Sequence, residues 1–311
     1  MAQYTLLQEN EIHEISNRYD LEVIDSEFID LGAGNSSYLL RTTKELFVLT
    51  VFEIEYIRVV NMCKLLGLLE EYNFPSTRVQ LLANGDSLTI CQGKPVLLKP
   101  HIIGEVIKDM DDNMFGQVGA AMAQLHKIPS PDYLPDQHPY GKETFSPLLS
   151  KGIDPEYESW LGQKYDNLTQ KIPSGLPRGL IHGDVFYDNV LFEGSTFKAL
   201  IDFEEACHYY KVFDLGMAVV GMCTDDLKVR LNKVHSLING YQKIRELMMK
   251  EKEALQLFAE YAATATSSWR FWMYNINYPI AEKSNKHNEM VRIAKNVSAI
   301  PDALFMDTVF G

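Results

Sequence analysis

The chain has 311 residues, 46% of them hydrophobic and 23% charged, enough apolar material for a sizeable core and a length that suits two lobes. Its 42 acidic against 29 basic side chains give a formal charge of −13, which speaks against duplex nucleic-acid binding, because that affinity comes from basic contacts to phosphate. The four cysteines form no CxxC pair or metal-finger spacing, so reduced thiols are expected.

The first residues, MAQYTLLQENEIHEIS, are polar, with no basic start leading into an apolar run. No window reaches the ~18 apolar residues of a membrane span. A cytoplasmic protein without membrane attachment is expected. Gln8 to Tyr19 reads as a short helix, and Leu21 to Leu31 is β-rich. The small, polar stretch Gly32-Ala33-Gly34-Asn35-Ser36-Ser37 follows. Next come two apolar runs, Tyr38 to Thr42 and Leu46 to Phe52, whose short charged connection predicts a β-hairpin. Residues 53 to 72 read as a helix with Ile57, Val60, Leu65, Leu68 and Leu69 on its apolar face, ended by Asn73-Phe74-Pro75. Short strands are expected at Val79 to Leu82, Leu88 to Cys91 and Pro95 to Leu98.

Asp111 to His126 has helix-former content, and Pro129 stops it. Pro129 to Pro155 is a loop by composition. Tyr157 to Lys171 reads as a helix. Leu180 to Phe203 is a β-like island, and the chain is largely helical from Val219, with breaks near Gly240, Pro279 and Pro301. No internal repeat is present. The expected fold is α+β in two lobes, a small β-rich lobe over residues 1–98 and a larger helical lobe over 99–311, with a cleft implied near Lys99-Pro100.

The stretch richest in chemistry runs from Gly179 through His182-Gly183-Asp184 to Asn189-Val190-Leu191-Phe192, followed by Leu200-Ile201-Asp202-Phe203. Asp184 and Asn189 lie five residues apart across a loop, and Asp202 ends an apolar strand-like run thirteen residues later. A hairpin of two short strands brings such polar ends together. An Asn and an Asp supply hard oxygen ligands that suit Mg²⁺. A further Asp nearby can accept a proton from a hydroxyl, which completes the parts needed for phosphoryl transfer.

On these residues the chain resembles the aminoglycoside phosphotransferase/choline kinase-like family, which shares the protein-kinase fold. The stretches Gly34 to Thr43 and Phe47 to Glu53 are similar to the bacterial type of homoserine kinase within it. Gly119 to His126 looks like the family's helix after the lobe junction. The resemblance implies a protein-kinase-like two-lobed fold, ATP and Mg²⁺ as cofactors, and transfer of the γ-phosphoryl to the alcohol of a small molecule. Homoserine leads as acceptor, with an aminoglycoside, hydroxylysine or another amino alcohol as alternatives, and a nucleotide-binding pseudokinase as a different class. Asp184 matches the family's catalytic base, Asn189 and Asp202 its metal ligands. His182 matches the structural histidine of the loop, and Asp214, in Phe213-Asp214-Leu215-Gly216, the acid that braces it. ATP is expected to meet the sparse glycine loop (Gly32, Gly34, Asn35, Ser36, Ser37) and a hinge at Leu98 to Ile102, with Pro100, His101 and Ile102 against the adenine.

Two departures stand out, the sparse glycine loop above and the missing strand lysine. Thr50 occupies the place where most kinases of this fold carry a strand lysine, so the phosphate-holding cation is unassigned, with Arg41 and Lys44 as candidates. The helix acid that partners such a lysine is undecided between Glu70 and Glu71. For the acceptor, Glu204 and Glu205 either bind an ammonium or form a solvated helix start. Tyr187 either faces the acceptor or packs in the core. The aromatic residues Trp269, Phe271, Trp272, Tyr274 and Tyr278 either wall a pocket or serve the core. Arg270 either clamps a carboxylate or pairs with a neighbouring acid. His101, His126 and His208 read as structural, and the sequence leaves monomer and homodimer open.

Overall fold

The computed structural model describes residues 5–29 and 34–311; Gly32 lies outside them. The chain divides into two compact units, Met1–Gly104 with Lys198–Glu204, and Glu105–Phe197 with Glu205–Gly311.

In the first unit, α1 (Glu9–Asn17) starts where the Glu11 carboxylate turns back to accept the Gln8 N–H at 2.8 Å, satisfying a donor the helix leaves open. β1 (Val23–Ile29), β2 (Ser36–Thr42) and β3 (Leu46–Val51) follow, then α2 (Tyr56–Glu71), β4 (Thr89–Cys91) and β5 (Lys94–Pro100). The five strands form an antiparallel sheet in the order β1-β2-β3-β5-β4. Alternation separates its faces. Tyr38, Leu40, Phe47, Leu49, Val51, Val96 and Leu98 make one face and share a core with Ile12 and Ile15 of α1. The opposite face carries Ser37, Val48, Thr50, Leu97 and Lys99.

The predicted hairpin is present, and two readings need correction. Val79 to Leu82 forms no strand; only the Gln80 N–H reaches Leu98 O across the sheet edge. The face α2 buries is Val59, Met62, Cys63, Leu65, Leu66 and Leu69, while Ile57 is 57% exposed. The helix begins at Tyr56, so Ile57 sits in its open first turn. From the segment Lys198–Glu204, Leu200 bridges in parallel to Ser76, and Phe203 packs edge-on against Phe74.

The second unit opens with β6 (Glu105–Val106) and α3 (Asp112–Leu125), capped by Asp111, whose carboxylate accepts the Met114 N–H at 2.8 Å. The Pro-rich stretch holds two 3₁₀ turns, Lys142–Thr144 and Ser146–Leu148. Then come α4 (Pro155–Lys171), β7 (Arg178–Ile181), β8 (Val190–Glu193), β9 (Thr196–Leu200), β10 (Cys207–Tyr210) and α5 (Lys211–Met222). β8 and β9 are neighbours in a small sheet with β6, whereas β7 pairs antiparallel with β10. Helix therefore begins earlier than Val219, at Lys211. It is interrupted by a minimal hairpin, β11 (Thr224–Asp225) and β12 (Lys228–Val229), before α6 (Leu231–Gln242), α7 (Met249–Trp272), α8 (His287–Ser298) and α9 (Asp302–Phe310).

Every residue of α5 from Val212 to Met222 is buried. α3 and α6 pack so closely that a Cβ on Gly119 would lie 1.9 Å from Leu237 O. Among the described residues no helix is long and apolar enough to cross a membrane.

Candidate active site

In the second unit, β7 delivers a fully buried His182, and the chain then turns through Gly183 at φ +87°. A Cβ there would fall 2.5 Å from the Glu205 carbonyl oxygen, so both conformation and space call for glycine. The turn presents Asp184, and a 3₁₀ turn over Tyr187–Asn189 leads into β8.

Asp214, in the first turn of α5, is buried completely and holds this loop. It accepts the His182 N–H at 3.0 Å and the Gly183 N–H at 2.8 Å. His126 Nε2 lies 3.0 Å from the same carboxylate, and its Nδ1 lies 2.7 Å from Tyr241 Oη. Burial by itself would raise the Asp214 carboxyl, but His126 and the N–H donors outweigh it and hold it below the usual range. Burial keeps His126 below an ordinary histidine despite Asp214. The pair is thus a carboxylate receiving a neutral imidazole and two amides.

The Asp184 carboxylate is held from two sides. Asn189 Nδ2 donates to Asp184 O at 2.8 Å and to its Oδ2 at 3.3 Å, which turns the amide oxygen of Asn189 away from that backbone. Tyr140 donates its phenol to Asp184 Oδ1 at 3.0 Å. Next to it His138, fully buried, lies with Nε2 3.0 Å from Gly183 O, its ring 4.3 Å from that of Tyr140. Burial pushes the His138 imidazole down to about 4, so it is the neutral donor to that carbonyl. Trp269 stands 6.2 Å from both Tyr140 and Tyr274, centroid to centroid.

Tyr140 and His138 went unread in the sequence because they lie in the Pro-rich stretch. Nothing in the local pattern His138-Pro139-Tyr140 sets the stretch apart from a loop.

Among the remaining candidates of this unit, Tyr187 is half-buried, with Lys108 Nζ 5.9 Å from its ring centre. Arg270 donates to Glu289 at 2.9 Å. Phe271 is buried, whereas Trp272 and Tyr278 are exposed. Glu205 lies half-buried in the turn before β10.

In the first unit, Gly34 is exposed with nothing near its missing side chain. Asn35 Oδ1 accepts the Glu53 N–H at 3.1 Å, and its Nδ2 donates to Glu204. The two serines project to opposite faces. Among the described residues Ser36 Oγ is buried without a partner, and Ser37 Oγ lies 3.2 Å from Thr50 Oγ1. Pro100 ends β5, His101 donates its N–H to Leu46 O at 2.9 Å, and Ile102 is half-buried.

Asp202 is exposed and held at φ +67°, a conformation that costs a non-glycine residue about 1–2 kcal/mol. Arg58 of α2 reaches Glu204 O at 3.4 Å. Arg41 and Lys44 are exposed near the turn of the β2–β3 hairpin, and Glu70 and Glu71 are exposed at the end of α2. Lys99, half-buried on β5, has Asp202 and Glu204 as its electrostatic partners. No three His, Cys, Asp or Glu side chains cluster as a metal cage among the described residues.

Comparison with known proteins gives a family and a fold. The family described as "Phosphotransferase enzyme family" matches residues 25–247. The homoserine kinase of Nitrobacter winogradskyi is 29% identical over 274 residues, covering 85% of this chain and 84% of that protein. The homoserine kinase of Phenylobacterium zucineum is 28% identical over the same shares. Among solved structures, an amicoumacin kinase in complex with AMP-PNP, Ca²⁺ and Ami superposes with a TM-score of 0.74. It is 15% identical, with 96% of this chain and 97% of that one covered. A microcompartment-associated aminopropanol kinase gives 0.72 at 18% identity, with 94% and 97% covered. At these identities the likeness establishes the shared protein-kinase-like fold.

Proposed function

Because the chain belongs to the phosphotransferase enzyme family, we propose that it is an ATP-dependent kinase that transfers the γ-phosphoryl of Mg·ATP to the hydroxyl of L-homoserine. The observation that carries the reading is the doubly held Asp184 carboxylate in His-Gly-Asp-x₄-Asn, fixed by Tyr140 and Asn189. A general base must be aimed before it is useful, and two hydrogen bonds aim this one.

Asp184 orients the acceptor hydroxyl and takes its proton as the phosphoryl group is transferred. The donor set fits Mg²⁺. Asn189 directs its amide nitrogen to Asp184 O, which frees a hard oxygen, and Asp202 offers an exposed carboxylate. When bound, Mg²⁺ neutralises charge on the β- and γ-oxygens. Asp214 and His126 keep the loop in place and touch no substrate. Homoserine is favoured over other alcohols because the similarity to homoserine kinases spans 85% of the chain.

The test is ADP release with Mg·ATP against L-homoserine, L-serine, hydroxylysine, choline, 5-methylthioribose and kanamycin. Saturable turnover confined to homoserine is expected. Turnover on a different alcohol keeps the chemistry and replaces the acceptor. Bound ATP with no turnover on any of them overturns the enzyme reading in favour of a nucleotide-binding module.

A further inference from the structure

The second face of the first sheet supplies a cation that spacing along the sequence conceals. Ser37 stands opposite Thr50, Thr50 opposite Leu97, and Val48 opposite Lys99. Opposed residues of an antiparallel pair share a face, and so do residues two apart on one strand. Lys99 is therefore one diagonal step from Thr50, a separation of about 7–8 Å that the flexible four-carbon stem of a lysine bridges. Arg41 and Lys44 do not compete for this place. Arg41 pairs with Leu46 at the far end of the hairpin, four residues from Ser37, or about 13 Å.

The acid partner has moved as well. α2 turns Arg58, not a carboxylate, toward Glu204, and its own Glu70 lies 3.8 Å from Arg78 at the helix end. The carboxylates that act on Lys99 come instead from Asp202 and Glu204. Asn35 and Arg58 fix the position of Glu204. Among the described residues Lys99 makes no ion pair within 4 Å, and its ammonium lies 5.8 Å from the Phe52 ring centre. A half-buried ammonium without a direct counter-ion is costly, and a phosphate group meets that need.

We propose that the Lys99 ammonium holds the nucleotide phosphates in this chain, doing from β5 what a lysine on β3 does in most kinases of this fold. The proposal rests on the kinase reading above, and nucleotide binding separates the two. Calorimetric affinities for ADP and for adenosine are compared in the wild type and in Lys99→Met, with thermal unfolding as the control for folding. The expected result is ADP binding weakened at least tenfold, with adenosine binding within twofold of the wild type. Lys99→Arg, which keeps the charge, is expected to retain most of the preference for ADP over adenosine. Equal losses for both ligands, or no loss for either, overturn the assignment; equal losses with a lowered midpoint give Lys99 to folding instead. A wild-type protein that binds neither ligand would sink the kinase reading rather than the role of Lys99.

Discussion

The phenol of Tyr140 donates to Oδ1 of Asp184 at 3.0 Å, across 44 residues of sequence. One rotamer of the carboxylate is thereby selected before any acceptor arrives. Hydrogen bonds to charged groups contribute about 1.5–3 kcal/mol, so Tyr140→Phe should lower turnover by about tenfold while leaving the KM for ATP within twofold. Asp184→Asn, which keeps the shape but loses the base, sets the limit, with a loss of at least ~10²-fold. Steady-state kinetics on both variants, with thermal midpoints as a control, checks the pair. Wild-type turnover in Tyr140→Phe would remove it from the positioning of Asp184.

Asp214 predicts a stability effect rather than a kinetic one. Its removal in Asp214→Ala strands two buried backbone donors and His126. Each buried donor left unpaired costs about 1–3 kcal/mol. Urea unfolding should show a midpoint lowered accordingly. A change below about 1 kcal/mol would mean that the loop is braced by other contacts.

His138 predicts a pH dependence of stability. The folded protein holds its imidazole at about 4, against 6.5 when unfolded. The unfolded chain therefore binds the extra proton between these values. The stability it contributes is complete above pH 6.5 and is lost as pH falls from 6.5 toward 4. At about 1.4 kcal/mol per pH unit, the loss for this group reaches about 3 kcal/mol. His126, also held neutral by burial, adds in the same direction. Urea midpoints at pH 7.5 and pH 5 should diverge in the wild type and converge partly in His138→Gln. Equal slopes in both proteins would contradict the assignment.

Asp202 separates function from stability. Its left-handed backbone is one that glycine adopts without strain. Asp202→Gly should therefore be at least as stable as the wild type while turnover falls by ~10²-fold or more. A drop of more than about 1 kcal/mol in unfolding free energy would show that the carboxylate, through Lys99, is itself part of what holds the first unit together.

How much of this was legible in the sequence depended on how local the cause was. His182 to Asn189 lie within eight residues, and the turn that joins them is dictated by Gly183, so the loop could be read directly. Tyr140 and His138 join it only through tertiary packing of a stretch whose prolines suggest nothing more than a loop. Lys99 entered the sequence reading only as the place of the implied cleft. Its relation to Thr50 depends on the register of β3 against β5, which neighbouring residues do not encode. The apolar face of α2 was misplaced by the position of Ile57, because periodicity gives spacing around a helix but not the turn at which burial begins.

The first compact unit includes Lys198–Glu204, although its other residues end at Gly104. During synthesis, then, the stretch at Pro75-Ser76 waits for Leu200, which forms the bridge to Ser76 and donates to Pro75 O. About 90 residues separate the two parts, and ribosomes add 5–20 residues per second. For roughly 5–20 s the nascent sheet stands with Phe74 lacking its ring partner Phe203. In that interval a chaperone that shields aromatic surface has a defined place to act.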